Sequence, residues 1–106
     1  MTNKQLDAEE QRLLDLLPKG MERPRPLREL VKLTGWSNRK IRAMIYRLIV
    51  VHHQPIGAVY DHPSNGYFII TNDTERAIAL APLTSQITMM SKRARAISNA
   101  DLESEE

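Results

Sequence analysis

The sequence predicts a mainly α fold with a small β-hairpin, an α+β chain of three core helices, one hairpin and a long C-terminal helix. Three observations predict it. Apolar residues recur at helical spacing on both sides of Gly35, β-branched and aromatic runs flank a turn that ends in Asn65-Gly66, and a three–four apolar repeat runs from Leu80 to Ile97. The 106 residues suit one small domain with a tail, and a hydrophobic share of 42% suffices for one modest core.

The elements follow in order. Thr2, with Gln5 three residues on, makes a capping box for a first helix carrying Leu6, Leu13, Leu14 and Leu17, which Pro18-Lys19-Gly20 stops. Met21 to Pro26 is a connector, because Pro24 and Pro26 favour extended backbone; it is a candidate edge strand. Helix two is expected from Pro26 to Thr34, with Leu27, Leu30, Val31 and Leu33 turned inward. Gly35 supplies the positive φ of a tight turn. Ser37 or Asn38 then caps helix three, which should reach about Val51. Its Ile41, Met44, Ile45 and Leu48 fall at i, i+3, i+4 and i+7 and form a core face, with Arg39, Ala43, Tyr46 and Val50 opposite. Trp36, in the turn, is expected to plug the space between the helices rather than to stack on a base.

Beyond His52-His53 the period changes. Ile56 to Tyr60 and Tyr67 to Thr71 read as strands around the turn formers of Asp61 to Gly66. A lone hairpin is marginal, so it must pack on the helices, with the connector as a possible third strand. Asn72 or Asp73 opens a last helix, assisted by Glu75, and Pro82 is expected to kink or split it. Leu80, Leu83, Ile87, Met90, Ala94 and Ile97 make a heptad seam. That seam either pairs with a second chain, the preferred assignment, or folds back on helix one. Lys92, Arg93 and Arg95 are read as its solvated flanks. The resulting division is 1–72 for a binding domain, 73–98 for the C-terminal helix and 99–106 for an acidic tail.

Charge is unevenly placed. The net charge is only +2, but between Lys19 and Tyr60 nine cations stand against Glu22 and Glu29, net +7. One-signed patches of this kind are the electrostatic footprint of a nucleic-acid surface. A short helix, a turn at Gly35 and a second helix studded with Arg and Lys provide what a major-groove reader needs.

From Leu27 to Leu48, together with Gly66-Tyr67-Phe68-Ile69-Ile70, the chain resembles the winged helix-turn-helix domain of small bacterial and phage regulators and replication proteins; the resemblance spans about residues 4–71. It implies a three-helix core plus wing, and a recognition helix that enters the major groove. Carried onto this sequence, it makes Ser37, Asn38, Arg39, Lys40, Arg42, Ala43, Tyr46 and Arg47 the DNA contacts. Arg28 and Lys32 would reach the phosphate backbone. An arginine can read a guanine edge through two hydrogen bonds, and residues at a helix N-terminus can hold phosphate. The competing assignment pairs Arg39 or Arg42 with Glu29. The wing departs from the family pattern: its tip offers His62, Ser64 and Asn65 but no Arg or Lys.

Other chemistries fare worse. The chain has no cysteine, which excludes a disulfide framework, a Cys-ligated zinc site and a thiol nucleophile. His52, His53 and His62 lack the partners of a common zinc set, and the adjacent pair is better placed to cap a helix end. No triad or phosphate loop is visible, so neither enzyme activity nor a cofactor is expected. No apolar run is long enough for a membrane span, and no secretory signal opens the chain, so a cytoplasmic setting is expected. The expectation is therefore double-stranded DNA binding by a homodimer, in transcriptional control or at a replication origin. The alternatives are a winged-helix protein-interaction module and an accessory subunit without DNA binding of its own.

Overall fold

The computed structural model describes residues 5–60 and 65–102. Four helices and a two-stranded antiparallel hairpin follow in the order α1 (Ala8–Asp15), α2 (Leu27–Thr34), α3 (Asn38–Val50), β1 (Ile56–Val59), β2 (Gly66–Ile69) and α4 (Asp73–Asn99). The α+β class and the element order agree with expectation.

Helix α1 starts later than expected. Thr2 lies outside the described residues, and Gln5 precedes the helix. The cap is Asp7, whose carboxylate accepts from the Glu10 N–H at 2.8 Å while the Glu10 side chain accepts from the Asp7 N–H at 3.0 Å. This reciprocal box satisfies two of the orphan donors at the helix start, and it sits one turn ahead of the buried Leu13 and Leu17. Helix α2 has no side-chain cap, consistent with proline at its N-cap. It ends on Gly35 at φ 77°, where the Gly35 N–H closes onto the Val31 carbonyl. Ser37 caps α3 by accepting from the Lys40 N–H at 3.1 Å.

The core forms where the three helices meet the hairpin. Leu13, Leu17, Leu30, Ile41, Met44, Ile45, Leu48 and Ile56 cluster, with Leu27, Val31 and Trp36 half-buried against them. Leu33, expected inside, is 44% exposed, because its position in the last turn of α2 carries it past the stripe defined by Leu27, Leu30 and Val31. The hairpin register sets Ile56 opposite Ile69 and Gly57 opposite Phe68. The connector does lie along β2, but as isolated bridges rather than a strand. Arg25 and Tyr67 exchange two backbone bonds of 2.9 Å, and Ile69 bonds to Pro18 and Gly20. Pro24 and Pro26 on either side of Arg25 have no N–H to extend that ladder.

Helix α4 is anchored at its start and free at its end. Asn72 caps it, accepting from the Glu75 N–H at 2.8 Å. The buried Glu75 carboxylate accepts from the Thr71 N–H at 2.8 Å, the Thr71 hydroxyl at 2.9 Å and the Met21 N–H at 2.9 Å, tying connector, hairpin exit and helix together. Phe68 is fully buried, and Gly57 of β1 closely approaches both its ring and Ala79 of α4. The helix is one continuous element through Pro82, so the expected split does not occur; a single missing N–H is absorbed within 27 residues of otherwise regular hydrogen bonding. From Leu83 to Leu102 every described residue is exposed, and the molecule measures 58 × 35 × 29 Å. The fold-back of the seam onto α1 is not observed: α4 packs on β1 instead.

Candidate nucleic-acid interface

The outward face of α3 is built by the same periodicity that builds the core. With Ile41, Met44, Ile45 and Leu48 buried, Arg39, Arg42, Ala43 and Tyr46 are left in solvent. Arg39 and Arg42 are three residues apart and therefore neighbours on one face. Ser37 and Asn38 are exposed at the helix N-terminus, and Arg28 and Lys32 are exposed on α2.

The basic residues of this region divide by what they touch. Lys40 donates to Glu9 at 3.0 Å, and its ammonium lies 4.7 Å from the centre of the Trp36 ring. Arg47 donates to Glu10 at 3.1 Å. Arg25, in the connector just before α2, pairs with Glu29 at 2.7 Å and also donates to the Leu16 carbonyl. The competing assignment of Glu29 to Arg39 or Arg42 is thereby corrected: Arg25 occupies it, held beside the first turn of α2 by its backbone bonds to Tyr67. Arg28, Lys32, Arg39 and Arg42 form no ion pair among the described residues. Lys40 and Arg47, also expected among the DNA contacts, form ion pairs with carboxylates of α1.

Trp36 packs against the core, as expected, and in addition carries two cations. The Arg12 guanidinium lies 5.4 Å from its ring centre and donates to the Leu33 carbonyl at the end of α2. Cation–π contacts of this kind contribute about 0.5–1 kcal/mol at exposed sites. They hold the turn from α1 and from α3, which fixes the start of α3 in place.

A second cluster lies under α3. Glu10 is buried, and its carboxylate meets Arg47 and the imidazole of His52, at 3.2 Å from His52 Nε2. The Asp7 N–H, opposed by burial and aided by Arg47 and His52, holds the Glu10 carboxyl below the ordinary glutamate range. His52, considered as a helix-end cap, turns its ring to α1. Sequence reasoning missed this cluster, since its members lie 37 and 42 residues apart and no local spacing links them.

Of the hairpin-tip residues, His62 and Ser64 lie outside the described residues, and Asn65 is half-buried. The six seam residues of α4 are exposed. Sequence reasoning also missed an apolar groove of about 380 Å³ between α3, the hairpin and α4, lined by Ile45, Ile49, Tyr60, Leu80 and Leu83 with Arg76 at the polar end. No group of three or more metal-binding side chains gathers among the described residues, and no helix among them is long and apolar enough to cross a membrane. In comparisons with protein-family models, curated proteins and solved structures, nothing matches this chain.

Proposed function

We propose that the chain is a winged-helix protein that binds double-stranded DNA with α3 in the major groove, dimerises through α4, and serves in transcriptional control or at a replication origin. The observation that carries the reading is the pair Arg39 and Arg42. Both project from the outer face of α3 with no carboxylate partner among the described residues, while the cations beside them are neutralised by α1. An arginine left exposed and unpaired keeps its full charge and its five donors for a phosphate or a guanine edge. Arg28 and Lys32 extend the same unpaired charge onto α2, where phosphate is within reach of a helix lying across the groove. Ser37, Asn38, Ala43 and Tyr46 complete the face, with small and polar side chains that let the helix approach the bases.

The test is a titration of labelled duplexes with wild type and variants. Arg39→Ala and Arg42→Ala should each weaken binding to a selected target by about 1–3 kcal/mol, whereas Lys32→Ala weakens it less and equally for all sequences. Unchanged duplex affinity in a folded Arg39/Arg42 double alanine variant would sink the reading and favour a protein-interaction module.

A further inference from the structure

Beyond the body of the molecule the apolar seam of α4 is exposed among the described residues. Leu80, Leu83, Ile87, Met90 and Ile97 are 50–68% exposed, and Ala94 stands between them. The near end of the same seam is different, because Leu80 and Leu83 also form one wall of the groove closed on its other sides by Ile45, Ile49 and Tyr60. We infer that a second copy of this chain covers both, its α4 running antiparallel about a two-fold axis between Thr88 and Met89, so that the free end of each α4 closes the groove of the other body. The inference rests on the dimer proposed above and adds its direction, its register and its receptor.

The seam spacing sets the register. Steps of three, four, three, four and three residues read identically from either end. Antiparallel pairing therefore places Leu80 against Ile97, Leu83 against Ala94 and Ile87 against Met90, with no seam residue unmatched. A parallel pair would match them too, so the surroundings decide. Leu80 and Leu83 are flanked by their own body, and a parallel partner brings a second body to that same end. An antiparallel partner brings the bare end of a helix, with the small Ala94 where the groove wall is nearest.

Charge favours the same direction. Lys92, Arg93 and Arg95 lie within about one turn of each other. Parallel pairing collects both sets at one end of the rod, and antiparallel pairing separates them. Antiparallel register also carries the end of the second copy's α4, with Asp101 two residues beyond its last turn, towards Arg76, which edges the groove and whose one described partner is the exposed Asp73 at 3.2 Å. The two helix dipoles then oppose one another as well.

The absence of cysteine makes the test direct. Leu83→Cys and Ala94→Cys proteins are oxidised separately and mixed, with helix content checked by circular dichroism. The mixture should give the crosslinked pair many times faster than either protein crosslinks to itself. Self-crosslinking of each, with no preference in the mixture, would overturn the antiparallel arrangement while leaving the dimer intact. Sedimentation of wild type as a monomer at tens of micromolar would overturn dimer and arrangement together, and duplex titration would still judge the DNA reading. For the groove, Ile49→Glu should raise the dimer dissociation constant about tenfold or more although it lies outside α4. Undiminished dimerisation of that variant would remove the groove from the interface. Arg76→Asp and Asp101→Arg should each weaken the dimer and together restore it; additive weakening would refute the pairing.

Discussion

Four basic side chains lie between Arg39 and Arg47 on α3, and their neighbours assign them different work. Lys40 and Arg47 meet Glu9 and Glu10 of α1, while Arg39 and Arg42 meet no described carboxylate. Alanine at Lys40 should cost no more than about 1 kcal/mol of stability, the usual limit for an exposed pair, and should leave duplex affinity nearly unchanged. The reverse profile is expected at Arg39, with affinity lost and melting temperature kept; thermal melts and titrations on the same samples separate the two. The Glu10 cluster also makes stability depend on pH. Its carboxyl titrates below the unfolded value, so its contribution is complete above about 4.3 and is lost as pH falls through the lowered folded value. Glu75 has the same sign, held down first by the Thr71 N–H and then by the Met21 N–H. Melts taken from neutrality to pH 3 should show wild type losing stability steeply at the acid end, with a shallower fall in Glu10→Gln. An equally steep fall in that variant would remove Glu10 from the acid response.

At the level of elements, the parts fixed by local chemistry were legible and the parts fixed by contact were not. Gly35, Ser37 and the Ile41, Met44, Ile45, Leu48 stripe determine α2, the turn and α3 through spacing alone, and the structure places each as expected. The start of α1 was expected at Thr2 with Gln5, whereas Asp7 and Glu10 form the capping box in the structure. Glu10 wins a second set of partners, Arg47 in α3 and His52 just beyond it, which no local pattern reports. The same limit hid the neutralisation of Lys40 and Arg47, so the candidate site was legible as a face but not as a set of free charges. Glycine 57 is a packing case of this kind. Gly57 faces Phe68 across the hairpin, and a Cβ there would lie 2.7 Å from the ring and 3.1 Å from Ala79. Gly57→Ala should destabilise by about 1–3 kcal/mol through overpacking. It should also loosen the seat of α4, visible as faster amide exchange at Thr71 and Glu75; wild-type exchange there would show that the close approach of Gly57 to Ala79 does not hold the helix.

The whole molecule is a small body with a rod attached. Helix α4 is about 40 Å long, and about its first three turns meet the body, through Glu75, through Ala79 beside Gly57, and through Leu80 and Leu83 at the groove. That division couples the two proposed activities. A single α3 offers few phosphate contacts, and joining two of them makes the second contact intramolecular, at a high effective concentration. Salt sensitivity follows the number of phosphates neutralised, so a dimer spanning two half-sites should show about twice the salt slope of a lone body. Ile87 is the place to test this, since it lies at the middle of the seam and outside the groove that α3 helps to line. Ile87→Glu puts a charge where it must be desolvated or held apart, while every contact that anchors α4 to its own body is kept. The variant should be a folded monomer with weaker duplex binding and about half the salt slope of wild type. A variant that becomes monomeric yet binds duplexes as tightly as wild type, with the same slope, would show that one recognition helix acts alone.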